Sequence, residues 1–164
     1  MKAQPLTIDP IGADGWRAWR ALRLLALEEA PYAFGSRLEE WQGEGDREER
    51  WRARLSIPGA IHLIARLDGT AVGMASGIPG ETAGRAELIS MYVSAAGRGR
   101  GVGAALVRRI VEWAAAGGSS ALELDVFEDN ARAIALYERC GFVATGTNSD
   151  HERGREIRMR STLR

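Results

Sequence analysis

Residues 97 to 104 read Gly-Arg-Gly-Arg-Gly-Val-Gly-Ala, so Gly97, Gly99, Gly101 and Gly103 alternate around Arg98 and Arg100. A helix start exposes backbone N–H groups that have no acceptor within the helix, and the helix dipole adds partial positive charge there. Glycines let an anion reach those amides, and arginines add counter-charge. The chemistry that suits this turn is a diphosphate gripped by backbone. Three ligand classes compete for it. A P-loop needs Lys followed by Ser or Thr after its last glycine, but Ala104 and Ala105 stand there. Gly99-x-Gly101-x-x-Ala104 fits a dinucleotide fingerprint, with Glu123 or Asp125 near the expected distance. That fingerprint belongs in a first βαβ unit, and here several strand-like segments precede it. Coenzyme A is the third class.

The elements that must position this turn are legible on either side. Residues 85–93 (RAELISMYV) read as a strand. Residues 101–116 read as a helix, with an apolar stripe of Val102, Leu106, Ile110 and Trp113 and a stop at Gly117-Gly118. Residues 120–127 alternate as a strand, and Asn130 to Arg139 reads as a short helix ending at Gly141. Upstream, residues 5–9 suggest a first strand, and residues 14–30 an amphipathic helix with Asp14 as N-cap and Pro31 as stop. A helical turn is expected from Ser36 to Gln42, then a helix capped by Asp46 and running to about Ser56. Asp68-Gly69 between apolar runs 60–67 and 71–78 predicts a hairpin. FVATG and REIRMRSTL supply two last strands joined by a loop over 147–155. The predicted order is β, α, α, β, β, β, α, β, α, β, β.

The chain of 164 residues suggests one domain over 1–164. Its formal net charge is zero, without the basic excess of a nucleic-acid binder. No apolar run approaches the roughly 20 residues of a membrane span, and the N-terminus lacks a signal-peptide core. With the single cysteine, Cys140, these features predict a cytoplasmic protein without nucleic-acid or membrane partners. Lys2 is the only lysine among many arginines, a bias that matches a GC-rich bacterial genome. His62 and His151 are isolated, so no metal site is expected.

Two motifs in order carry a resemblance. Arg98-Gly99-Arg100-Gly101-Val102-Gly103-Ala104 fits the pattern Q/R-x-x-G-x-G/A, and Asn130 to Phe142 fits N-x-x-A-x-x-L-Y-x-x-x-G-F, with one helix and one strand between them. In this the sequence resembles the GCN5-related N-acetyltransferases over about residues 60 to 162. The resemblance implies a mixed α/β fold, the acyl-CoA N-acyltransferase fold. Its centre is a mostly antiparallel sheet of six to seven strands flanked by about four helices. Strands 85–93 and 120–127 would be parallel and splay apart. The implied activity is direct transfer of acetyl from acetyl-CoA to a primary amine, within a ternary complex and without a metal. The acceptor would be a small molecule, an antibiotic or a protein N-terminus. Family members are often dimers, so monomer and homodimer both stay open. A non-catalytic acetyl-CoA sensor is the alternative, and a dinucleotide binder a more distant one.

By the same resemblance, backbone at Met91 and Val93 pairs with the pantetheine arm. The amides from Arg98 through Gly99, Arg100, Gly101, Val102 and Gly103 to Ala104 hold the pyrophosphate, and Asn130 touches the cofactor. Tyr137 matches the tyrosine that protonates the departing thiolate, against the plainer reading of a core aromatic. Glu87 stands where some members place a base that relieves the amine of its proton; a carboxylate between apolar neighbours can have a raised pKa. The plainer reading is an ion pair with an arginine. Cys140 is expected to be a core residue rather than an acyl carrier. For the acceptor, Glu28, Tyr32 and Phe34 supply acid and aromatic faces suited to a cationic amine, against the plainer reading of a helix corner. Asp125 and Glu128 are further candidates, and the 147–155 segment is expected to edge the acceptor mouth or a dimer contact.

Overall fold

The structure, a computed structural model, describes residues 5–29, 38–152 and 154–163. These form β1 (Leu6–Pro10), α1 (Trp16–Glu29), α2 (Glu48–Arg54), β2 (Ile61–Leu67), β3 (Thr70–Pro79), β4 (Arg85–Val93), α3 (Val102–Ala116), β5 (Ala121–Phe127), α4 (Ala131–Arg139), β6 (Val143–His151) and β7 (Gly154–Thr162). The sheet has seven strands in the order β1-β2-β3-β4-β5-β7-β6. β4 and β5 are parallel and the other neighbours antiparallel. The predicted element order and the mixed sheet hold.

Each face of the sheet buries one helical layer. On one face α3 packs Val102, Leu106, Val107, Ile110 and Ala114 against Leu63, Val72, Leu88, Leu122 and Leu124. Trp113 of the predicted stripe is half-buried and lies over Gly77, where a Cβ would come within 2.5 Å of its ring. On the other face α1 and α2 bring Trp19, Leu22, Ala26, Leu27 and Trp51 onto Ile64, Met74 and Tyr92. The β2–β3 turn is the expected Asp-Gly hairpin: Asp68 and Gly69 have φ of 48° and 82°, the left-handed pair that matches strand twist.

Three local expectations change. Asp14 does not cap α1; it sits in a 3₁₀ turn, Ala13–Gly15, and pairs with Arg52 of α2 at 2.8 Å. Asp46 does not cap α2, whose N-cap is Arg47. Its carboxylate instead accepts from Arg20 Nε at 2.7 Å and Trp51 Nε1 at 2.8 Å, joining the two helices, and these bonds hold its pKa down at about 2. The predicted loop over 147–155 is mostly hairpin: Asn148 to His151 pair with Gly154 to Ile157, and the ion pair Arg155–Asp150 and the contact of His151 Nε2 with Glu156, each 3.0 Å, stitch its tip. Pro31, expected to stop α1, and Ser36 lie outside the described residues, while Leu38–Trp41 is a 3₁₀ turn.

Candidate functional site: a slot between two parting strands

β4 and β5 pair only at Arg85–Ala121, Ala86–Leu122 and Glu87–Glu123. β5 stays on β7 as far as Phe127–Glu156, and β4 stays on β3 as far as Val93–Gly73. Past Glu87, therefore, the two strands part. The bend lies at a β-bulge. Ile89 faces Ser76 and Tyr92 faces Met74, so Ser90 and Met91 together oppose one residue of β3. Ser90 has φ of 55°, a left-handed conformation rare for a non-glycine residue. A bulge bends its strand and re-aims the side chains that follow. Ala86 and Leu88 pack in the α3 core; beyond the extra residue Met91 and Val93 do so too, while Tyr92 joins the α1 core.

The gap is a cavity of about 720 Å³, in the range that holds a small molecule. Of the residues predicted to bind cofactor it is lined by Met91, Val93, Arg98, Gly99, Gly101, Val102, Gly103, Ala104, Asn130 and Tyr137; Arg100 stands off its lining. The glycines divide by task. Gly99 and Gly101 have φ of 73° and 77°, and a Cβ on either would meet nothing within 4 Å, so the turn is open above them. Gly97 and Gly103 are packing positions: a Cβ would lie 3.0 Å from Val72 and Val93 at the first, and 3.1 Å from Leu136 of α4 at the second. Gly101 is the N-cap, and the first bond into α3 runs from Ala105 N to Gly101 O at 3.1 Å. The amides of Val102, Gly103 and Ala104 thus form the unsatisfied first turn of the helix. Arg98 departs from the expected pattern. Its amide bonds back to Ala95 O at 3.4 Å, while its guanidinium reaches Val93 O at 3.2 Å and Glu29 at 3.5 Å. Glu29 also accepts a hydrogen bond from the Tyr92 hydroxyl, which ties the end of α1 to the slot wall.

Tyr137 reaches the slot from α4. Asn130 caps that helix by accepting from Ala133 N at 3.3 Å. The Tyr137 ring is 7% exposed and lies 5.8 Å from the Phe142 ring. Burial, with Cys140 beside it, raises the hydroxyl pKa above the usual tyrosine value, so the group stays protonated. Cys140 closes α4 half-buried, and burial pushes its thiol pKa up against the pull of Arg108 and Arg139, the opposite of an activated nucleophile.

Glu87 sits at the last β4–β5 pair, not in the lining of the cavity. Burial raises its pKa above the ordinary carboxylate value. Arg158, 3.6 Å away, opposes this, and Asp125, Glu81 and Glu123 reinforce it. Asp125 lines the cavity but is occupied: Arg158 of β7 donates to it from Nε at 3.0 Å and Nη2 at 2.9 Å. Glu123, 4% exposed, is met by Arg160 at 2.8 Å and Arg85 at 3.5 Å. Glu28 is exposed at the end of α1, off the slot lining; Tyr32 and Phe34 lie outside the described residues. Sequence reasoning missed Ser90 and Arg54. Arg54 of α2 donates from Nη2 to Ser90 Oγ at 2.8 Å, behind the slot wall. Among the described residues no group of three or more His, Cys, Asp or Glu is placed to hold a metal ion, and no helix is long and apolar enough to cross a membrane.

With this geometry in place, the comparisons converge. The model of the acetyltransferase (GNAT) family matches residues 19–142, and the chain belongs to that family. The rat N-acetylaspartate synthetase is 37% identical over 97 residues, 59% of this chain and 32% of that protein, so the matched part spans about a third of the relative. The L-amino acid N-acetyltransferase AaaT of Escherichia coli is 32% identical over 108 residues, 62% of this chain and 65% of that one. The structure of yncA from Salmonella typhimurium, a putative acetyltransferase solved with its cofactor acetyl-CoA, covers 98% of this chain and 95% of its own at a TM-score of 0.77; at 22% identity this likeness shows the fold.

Proposed function

We propose that the protein is an acetyl-CoA-dependent N-acetyltransferase that moves acetyl to a primary amine by direct attack in a ternary complex. The observation that carries this reading is the parting of β4 from β5 past Glu87 into a cavity that runs to the open turn at Gly99 and Gly101. A relative named as an L-amino acid N-acetyltransferase, and a neighbour of the same fold with acetyl-CoA in it, support the same reading. The residues fit such a cosubstrate. Beyond Glu87 the β5-side edge of β4 has no described strand partner, which leaves backbone at Met91 and Val93 for the two amides of a pantetheine arm. The first-turn amides of α3 and the bare Gly99 and Gly101 suit a pyrophosphate.

The chain's own residues divide the chemistry. Tyr137 keeps its proton at working pH and offers it to the departing sulfur, in reach of a cavity it lines. Glu87 is the base. A free amine such as that of lysine has a pKa near 10, so most of it is protonated at neutral pH and must lose a proton to attack. Burial lifts the Glu87 carboxylate toward that task, and Arg158 sets the limit of the lift. Since Glu87 stands outside the cavity lining, it acts through water rather than by direct contact.

Calorimetry with acetyl-CoA and with NAD, followed by free-thiol release across a panel of amines, tests this. Binding of acetyl-CoA alone with thiol release that depends on an amine is expected. Binding without release for every amine would leave a cofactor sensor, and binding of NAD instead would overturn the reading of the turn.

A further inference from the structure

The two charge clusters around the slot are unlike. Its acids are already matched: Asp125, Glu123 and Glu87 meet Arg158, Arg160 and Arg85, and Glu29 meets Arg98 and Tyr92. Arg54 of α2 differs from them. Arg54 makes no ion pair among the described residues. Its Nη1 is buried with no hydrogen-bond partner, and its remaining contacts are Ser90 Oγ and the face of Trp19, 5.5 Å from the ring centre. Arg23 of α1 stands close by, and burial, together with the Arg54 charge, pushes its pKa down to about 10. His62, 2% exposed and bonded to Ser76 at 2.7 Å, is pushed down to about 4 by burial and by the same Arg54. A desolvated charge with unused donors is costly unless an opposite charge completes it.

We propose that Arg54, with Arg23 adding to the field, receives the carboxylate of the acceptor, and that the acceptor is a free α-amino acid. This rests on the N-acetyltransferase reading and names its substrate class. Ser90, to which Arg54 is bonded, lines the slot, and Arg54 itself stands behind that lining, so the carboxylate reaches it past Ser90. In an α-amino acid a single carbon separates amine from carboxylate, so a carboxylate held behind Ser90 leaves the amine at the slot. A guanidinium suits this because its planar donors match a carboxylate in geometry and charge. A polyamine would need the reverse arrangement, with acids left unmatched.

The test measures thiol release for matched pairs: L-phenylalanine against 2-phenylethylamine and L-phenylalaninamide, L-methionine against 3-(methylthio)propylamine, with spermidine as the polyamine. The wild-type protein is expected to favour the acid member in kcat/KM by at least about 50-fold, since a site built for a polar group rejects the analogue that lacks it. Arg54→Gln is expected to bring that ratio to within about threefold, and Arg54→Lys to restore part of it. A wild-type ratio near one, a preference for spermidine, or an Arg54→Gln loss equal for both members overturns the proposal. If Arg54→Gln does not fold, the wild-type ratios decide alone. Calorimetric titration of the same pairs needs no turnover. Discrimination there without any acetyl transfer would sink the catalytic reading and keep this one; turnover limited to the amines that lack a carboxylate would do the opposite.

Discussion

The two faces of the sheet solve the problem of holding a ligand in different ways. On the α3 face the candidate grip is backbone: the first-turn amides of α3, two glycines at positive φ, and an open strand edge, all within residues 88 to 104. On the α1 face it is side chains from distant parts of the chain, Arg54, Arg23 and Ser90, gathered by folding. A backbone cradle accepts few substitutions and fits one invariant chemical group. A side-chain cluster can be exchanged residue by residue. The arrangement suits an enzyme whose donor is fixed and whose acceptor varies between relatives.

The largest effect should come from the backbone side. Gly101→Val forces a β-branched residue to φ of 77° and sets its methyls over the amides. Acetyl-CoA affinity, measured by calorimetry, is expected to fall at least about 100-fold, with a stability loss of about 1–2 kcal/mol. Affinity within threefold of wild type would show that the turn is not the seat. Gly103→Ala sharpens the contrast. Its methyl would meet Leu136 at 3.1 Å, so it should act on stability before affinity.

Next is Tyr137→Phe, which removes one hydroxyl at a buried ring. A kcat loss of about 100-fold is expected, the lower end of the span of general acid catalysis, with the acetyl-CoA dissociation constant changed less than threefold. Equal losses in both would make Tyr137 a packing residue against Phe142.

Glu87→Gln is expected to cost about tenfold in kcat/KM at neutral pH. The sign of its pH dependence follows from the raised pKa. Glu87 is a base only when ionised, so activity should fall as pH drops through a midpoint above the ordinary glutamate value. In Glu87→Gln that acid limb should vanish. An unchanged limb in the variant would assign it to another group.

The same contrast explains what could be read in the sequence. Two features were legible because their signals are local: the glycine run before α3 and the Asp68-Gly69 turn between β2 and β3 each act over a few residues. Gly97 and Gly103 carry the same letter as Gly99 and Gly101, and only packing against Val72 and Leu136 tells them apart. The bulge at Ser90 has no glycine or proline to announce it. Arg23 and Arg54 look like ordinary solvated charges on amphipathic helices, and their burial depends on α1 and α2 meeting over β2, which no short window contains. Asp46 carried a good capping signal, but a bidentate arginine and an indole N–H outbid the helix for its carboxylate.

The smallest expected effect lies where the two faces touch. Tyr92 on β4 donates to Glu29 at the end of α1, and Arg98 from the phosphate turn closes the contact at 3.5 Å. A hydrogen bond to a charged acceptor contributes about 1.5–3 kcal/mol when shielded, and partial exposure of Glu29 reduces that. A double-mutant cycle of Tyr92→Phe and Glu29→Gln, read by denaturant unfolding, should give a coupling of about 1 kcal/mol. Because Arg98 answers to Glu29 and also lines the cavity, filling the turn with acetyl-CoA would draw on a cation that α1 is using. The coupling should therefore shrink when the cycle is repeated with saturating acetyl-CoA. A coupling near zero in both conditions would mean that α1 ends beside the slot without being held by it, and that the two faces bind their ligands independently.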